Sequence, residues 1–261
     1  MQILVCTLAS GSSGNSTFIS IGGKNILLDA GISSKRIAKS LNELNIKRLD
    51  AILITHEHID HFSGMWLTAR RFGVPVYATR DTWNRLFLHK TYIDLDDHLV
   101  RIISADESFM LDNIIIKGFS VYHDAADPVG YTLEYGSQKI AAVTDIGHVT
   151  NEVRENLADA QIILVESNYD PEMLENGTYH ISLKRRVQGP MGHLSNKAAG
   201  ELIADVAGNQ LQVILVHLSA DNNTPILAYN TVSNVLKSRD VKIASLQVAK
   251  RNELGEVVTI Y

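Results

Sequence analysis

The sequence predicts a mixed chain, α/β or α+β, built on two β-sheets with helices on the outer face of each. Three observations point there. Apolar runs of strand length dominate the opening thirty or so residues and recur through the middle of the chain. Helical and strand-like segments alternate in the second half. No low-complexity tract or long linker interrupts them, and 261 residues suffice for a sizeable core, in one domain or two intimately packed halves.

In chain order, 2–8, 16–22 and 25–30 read as strands, the last two joined by a Gly22-Gly23 hairpin turn. Ser33-Ser34 can cap a helix to about Leu44, with Ile37, Leu41 and Leu44 on one face. Strand 51–54 follows, then a His-rich loop and a helix from Ser63 to Phe72 that Gly73-Val74-Pro75 ends. Val76-Tyr77-Ala78 is a short strand, and Arg80 to His89 is helical. Strands are expected at 99–103, 114–121, 131–135 and 138–143. The remainder reads as helix 150–157, strand 161–166, helix 195–207, strand 211–216, helix 224–237, and strands 242–248 and 257–260.

Composition is that of an ordinary globular protein, 45% hydrophobic and 20% charged. A net charge of −5 excludes a global basic field, so any polyanion must be drawn by a local patch or a bound metal. The single cysteine, Cys6, excludes an internal disulfide and fits a reducing compartment. The N-terminus lacks a basic leader and reads as a strand, and no apolar run approaches a membrane span. A cytoplasmic, soluble protein with no membrane contact is expected; the oligomeric state stays open.

The chemistry concentrates in Ile52-Leu53-Ile54-Thr55-His56-Glu57-His58-Ile59-Asp60-His61, where an apolar strand ends and four potential metal ligands, three His and one Asp, follow within six residues. Alternation along an extended segment lets His56 and His58 face one point, while Asp60 and His61, on the turn into the next helix, can face a second. Imidazoles with a carboxylate suit zinc, manganese or iron rather than calcium or magnesium. The spacing is not H-E-x-x-H, which needs a helical i, i+4 pair. Three further ligand-type residues directly follow strand-like runs: His123, Asp145 and His217. Functional groups collect at such loops, which sets these apart from His89 and His98.

The run His56-x-His58-x-Asp60-His61 resembles the H-x-H-x-D-H signature of the metallo-β-lactamase-fold hydrolases. That resemblance implies an α+β, four-layer αββα sandwich, with residues 1–261 as one domain of two pseudo-symmetric halves, roughly 1–135 and 136–261. It also implies two divalent metal ions, Zn, Mn or Fe. His56, His58 and His123 would hold one ion, Asp60, His61 and His217 the other, and Asp145 would bridge them. Asp29 matches the early aspartate that fixes the metal loop through hydrogen bonds. Two such ions lower the pKa of a shared water to about 7 and make hydroxide available at neutral pH; Asp60 can orient it.

Three stretches bear on the substrate. In the loop Leu8 to Ser16, glycines can turn backbone N–H groups toward an anion, and the polar side chains Ser10, Ser12, Ser13 and Asn15 can meet phosphate. Leu183-Lys184-Arg185-Arg186 is a basic cluster, with Arg185 and Arg186 as phosphate contacts. Gly192-His193-Leu194-Ser195-Asn196 opens a helix whose amides, with His193 and Ser195, can receive a phosphate. Together with His123-Asp124-Ala125-Ala126-Asp127-Pro128-Val129-Gly130-Tyr131, Glu166-Ser167-Asn168-Tyr169-Asp170 and His217-Leu218-Ser219-Ala220-Asp221-Asn222-Asn223, these stretches resemble the YycJ/WalJ-like (VicX-like) branch along essentially the whole chain. The branch implies a dinuclear phosphodiesterase, a 5′-to-3′ exonuclease on DNA, single strands included, that uses a metal-bridging hydroxide. A similarity to transfer-RNA 3′-processing ribonucleases implies that His193 contacts phosphate or protonates the leaving oxygen. Only 71 residues separate Asp145 from His217, so no β-CASP insertion is expected. Two alternatives stay open: a lactonase or thioesterase using the same site, favoured by an apolar pocket away from His193 and the arginines, and a regulatory module of a cell-wall two-component system, favoured by an absence of metal.

Overall fold

The structure, a computed structural model, describes residues 2–208 and 210–260. In the N-terminal part the elements run β1 (Ile3–Ala9), β2 (Ser16–Ile21), β3 (Lys24–Leu28), α1 (Ser34–Glu43), β4 (Ala51–Leu53), α2 (Ile59–Phe62), α3 (Met65–Phe72), β5 (Val76–Thr79), α4 (Arg80–Leu88) and β6 (Val100–Ile103). Then come β7 (Ser108–Leu111), β8 (Ile114–Ser120), β9 (Val129–Tyr135), β10 (Gln138–Val143), α5 (Asn151–Leu157), β11 (Ile162–Glu166), α6 (Pro171–Asn176) and α7 (Ile181–Val187). The chain continues through α8 (Asn196–Val206), β12 (Gln212–Val216), α9 (Pro225–Ser238), β13 (Ser245–Val248) and β14 (Val258–Ile260).

Two seven-stranded sheets result, ordered β14-β1-β2-β3-β4-β5-β6 and β7-β8-β9-β10-β11-β12-β13. Both repeat one pairing scheme. Read in those orders, three antiparallel ladders precede three parallel ones. The chain changes sheet between Ile103 and Ser108 and returns with β14, so the division expected near 135 does not coincide with the sheet boundary.

Strand alternation builds three apolar layers. Ile26 and Leu28 of β3, Ile140 and Ala142 of β10, Ile162 and Leu164 of β11, and Ile214 and Val216 of β12 enter the core between the sheets. Their neighbours Ala141, Val143, Ile163, Val165, Val213 and Leu215 pack with residues of α5, α8 and α9. On the other outer face Leu27 and Ile52 meet Ile37 and Leu41 of α1, Met65, Trp66 and Ala69 of α3, and Trp83 and Leu86 of α4. The expected αββα order of layers follows.

The departures from the sequence reading have local causes. The strand expected to reach residue 30 stops at Leu28 because Asp29 turns left-handed, with φ +58°. The helix expected from Ser63 is two pieces, α2 and α3, because the chain is already helical from Ile59. Edge strand β7 was not anticipated: its short Ser-Phe-Met-Leu run carries little apolar periodicity. Helices α6 and α7 were also missed, although Asp170 caps the first with Pro171 following it, a recognisable helix start.

One close approach fixes the His-rich loop to the scaffold. A Cβ on Gly31 would lie 1.6 Å from the Asp60 carbonyl oxygen, and Asn15 N donates to the same oxygen at 2.7 Å. Gly31→Ala is therefore expected to lower stability by at least about 1–3 kcal/mol in urea denaturation and to weaken divalent-cation binding in the same variant. Unchanged values of both would show that the Asp60 backbone is free to move.

Candidate metal centre

All the candidate ligands lie beyond the same edge of the two sheets. The parallel strands β3, β4, β10, β11 and β12 end there, and β8 runs the same way as β10. Asp29 follows β3, His56 and His58 follow β4, Asp60 and His61 lie on α2, and His123, Asp145 and His217 lie beyond β8, β10 and β12. Asp29, Asp145 and His217 all have left-handed backbones, with φ of 58°, 52° and 57°. Such φ values are uncommon outside glycine and swing each side chain off the line of its strand.

The seven expected ligands converge. His56, His58 and His123 form one group whose ligand atoms lie within 4.8 Å of one another; His56, His61 and Asp145 form another, and Asp60, His61 and His217 a third. His58 Nδ1 lies 3.3 Å from His123 Nε2, His61 Nε2 3.1 Å from Asp145 Oδ2, and His217 Nε2 3.3 Å from Asp60 Oδ2. Two nitrogens bound tetrahedrally to one ion at about 2.0 Å would stand roughly 3.3 Å apart.

The opposite ring nitrogens are occupied by acceptors. His61 Nδ1 is 2.7 Å from Asp29 Oδ2, His123 Nδ1 is 3.0 Å from the Gly192 carbonyl, and His217 Nδ1 is 2.9 Å from Glu166 Oε1. A proton on each Nδ1 leaves the Nε2 lone pair aimed into the cluster. His56 Nε2 and Asp145 Oδ2 are buried with no hydrogen-bond partner. Two such atoms facing one polar cluster fit a site for divalent cations, since an unpaired buried polar atom is otherwise costly.

The electrostatics follow from burial among opposite charges. Burial opposes ionisation of Asp145, yet His217 and His61 outweigh it and hold the carboxyl well below its ordinary range. Burial also opposes charge on His217, but Asp145, Asp60 and Glu166 carry it up to about 10. His61 is raised in the same way, against its burial, by Asp145 and Asp29. His56 is driven well down by burial and by the neighbouring His61. Around the ring, imidazole protons stand in for cations.

Glu166, fully buried at the end of β11, was not singled out from sequence, although it ends an apolar strand as Asp145 and His217 do. Its Oε1 lies 2.7 Å from His193 Nδ1 and 2.9 Å from His217 Nδ1, and its Oε2 accepts from the amides of Ile146 and Leu194. Despite desolvation, His193 and these hydrogen bonds bring its pKa down to about 2. One carboxylate thus orients two imidazoles. Burial pushes His193 toward neutrality, but Glu166 outweighs it and raises the ring's pKa.

The expected substrate contacts divide. Ser10 is buried and its hydroxyl accepts from His217 N at 2.8 Å; Asn15 is buried with its amide 3.2 Å from Asp60 Oδ2. Ser195 caps α8 by accepting from Ala198 N. All three bond to the scaffold, where they help to fix His217, Asp60 and the helix. Ser12, Ser13 and Arg185 are exposed. Arg186 pairs with Asp124 at 2.5 Å, and Asp124 Oδ1 lies 3.4 Å from His123 Nε2, which puts that arginine at the rim of the cluster.

Residues 24–218 match the Beta-lactamase superfamily domain. The chain is 37% identical to exodeoxyribonuclease YycJ of Bacillus anthracis over 250 residues, 92% of this chain and 91% of that one. It is 38% identical to exodeoxyribonuclease WalJ of Streptococcus pneumoniae over 239 residues, 90% and 89% of the two chains. Among solved structures, the metallo-beta-lactamase fold protein YhfI from Bacillus subtilis superposes with a TM-score of 0.73 at 14% identity, over the full length of both chains. With its histidines and aspartates gathered at one edge of this fold, the chain belongs to the beta-lactamase superfamily, in the branch that contains YycJ and WalJ.

Proposed function

We propose that this protein is a metal-dependent exodeoxyribonuclease that degrades DNA from the 5′ end, using two divalent cations, Zn, Mn or Fe. His56, His58, His123 and Asp145 would hold one ion and Asp60, His61, His217 and Asp145 the other. The convergence of these side chains, with His56 Nε2 and Asp145 Oδ2 unpartnered at its centre, carries the reading. The 37–38% identity to two exodeoxyribonucleases over about nine-tenths of the chain supplies the substrate class. Its single buried cysteine fits work in the reducing cytoplasm.

Cations bound in this site would supply hydroxide at neutral pH by lowering the pKa of water, and would offset the charge of a phosphodiester. The chain's own groups do the rest. Asn15 holds the Asp60 carboxylate from behind, leaving it to orient the attacking water. His193 keeps its Nδ1 on Glu166, and its Nε2 makes no hydrogen bond among the described residues. Oriented by Glu166, which raises its pKa, it is placed to donate a proton from Nε2 to the departing oxygen. His193 and Arg186 border the cluster itself, which favours a phosphodiester over the ester of the lactonase or thioesterase alternative.

Three measurements test this. Purified, metal-loaded protein is expected to bind about two ions per chain and to shorten oligonucleotides labelled at either end with 5′-to-3′ polarity, with His58→Ala slower by at least about 100-fold. Equal rates for the two proteins on DNA and on bis-p-nitrophenyl phosphate would end the nuclease reading. Glu166→Gln places an amide where two imidazoles and two backbone amides need an acceptor. It is expected to cost about 10- to 100-fold in metal affinity or activity, and wild-type behaviour would remove Glu166 from the site.

The third concerns protons. In the metal-free chain the raised His217 contributes stability that is complete below its ordinary pKa of 6.5 and is lost as pH rises through about 10. At neutral pH a metal ion must displace that proton. Calorimetric titrations in buffers of different ionisation enthalpy should show net proton release on loading, with affinity falling as pH falls. Loading without proton release would contradict the assignment of His217 as a ligand.

A further inference from the structure

A cleft of about 590 Å³ opens beside His217, within the roughly 300–1,000 Å³ range of small-ligand pockets. Leu218, the residue directly after His217, forms one wall together with Ser10, whose hydroxyl receives the His217 amide. Ala249 and Pro225, the first residue of α9, add apolar surface, and Lys250 and Arg251 supply two cations. Arg251 is half-buried and fixed in place. Its carbonyl accepts from Ser10 N at 3.3 Å, and its guanidinium reaches the Leu218 carbonyl at 3.5 Å. Unlike Arg154, Arg186 and Arg239, it makes no ion pair among the described residues.

An apolar wall with an unpaired guanidinium matches a nucleotide, whose base wants a dry face and whose phosphate wants a planar, charged donor. On a chain of net charge −5, such a local cation supplies attraction that the overall field does not. We infer that this cleft is a nucleotide subsite for the DNA strand. It takes the nucleotide adjoining the one under attack, with the base against Leu218, Pro225 and Ala249 and the phosphate on Arg251. The subsite rests on the nucleic-acid reading above, and it places the strand on the His217 side of the cluster.

The test is binding, measured apart from cleavage. Fluorescence anisotropy of a labelled single-stranded oligonucleotide with phosphorothioate linkages is followed against metal-loaded protein across a salt series. Arg251→Gln is expected to weaken binding about 5- to 10-fold and to make the log K against log salt slope shallower by about 0.7, the loss of one phosphate contact. Ala220→Trp fills the exposed rim of the same cleft while keeping the Arg251 side chain, and should weaken binding even if Arg251→Gln folds poorly. Lys242→Gln, ahead of β13 at the far end of that strand, should change neither quantity. Wild-type affinity and slope in both cleft variants would overturn the subsite. If the protein binds DNA through Arg251 but never cleaves it, the subsite stands and the nuclease reading falls. If it cleaves DNA with both cleft variants binding normally, the reverse holds, and absence of DNA binding by the wild type removes both.

Discussion

A carboxylate taken out of water must find positive charge, and the site is arranged around that need at Asp145. Its side chain is 2% exposed, and His61, His123, His193 and His217 approach within 3.6 Å. Left uncompensated, such an ion would cost several kcal/mol or more. In the metal-free chain the compensation comes from protons, which explains why His61 and His217 are raised while Asp145 and Glu166 are lowered. Divalent cations at the same place supply the charge with more of it per site, so metal and proton compete for one set of lone pairs. The interior polarity is costly for a fold and useful for a hydrolase.

The repeated pairing scheme of the two sheets gives this cluster its shape. β3 and β10 hold the same place, each the fourth strand of its sheet and each the point where antiparallel pairing changes to parallel. Each is followed within two residues by an aspartate with a left-handed backbone, Asp29 in one sheet and Asp145 in the other. Their roles have diverged. Asp29 turns back into its own layer, where both oxygens are taken by Thr55 and His61, while Asp145 keeps an oxygen open at the centre. A left-handed non-glycine residue costs about 1–3 kcal/mol, and at both positions the strain places a carboxylate where an extended strand would not.

Much of this was legible before the fold. The apolar run ending in His56-x-His58-x-Asp60-His61 and the three strand-terminal residues identify all seven converging side chains, because a ligand directly after a buried strand has few places to point. Glu166 opens one of the stretches that carry the resemblance but is given no role at the site there, although the same rule applies to it: it closes a fully buried strand. Ser10, Asn15 and Ser195 are legible as polar residues near the chemistry, but only three-dimensional neighbours show that they also hold His217, Asp60 and Ala198 in place. The positive φ values at Asp29, Asp145 and His217 leave no mark in a sequence read alone.

The basic run Lys184-Arg185-Arg186 shows why charge density along a chain is a poor guide to where an anion binds. It forms the last turn of α7, where cations complement the negative end of a helix dipole. The Lys184 amine donates to the Glu175 carbonyl, and Arg186 is paired with Asp124. Two of the three cations are thus engaged by the protein itself. Arg251, which follows Lys250 in sequence, keeps its donors free of any carboxylate and stands in the wall of a cleft next to His217. What an anionic strand meets first is set by where the fold places its unpaired cations, and Arg251 is one that stands beside His217.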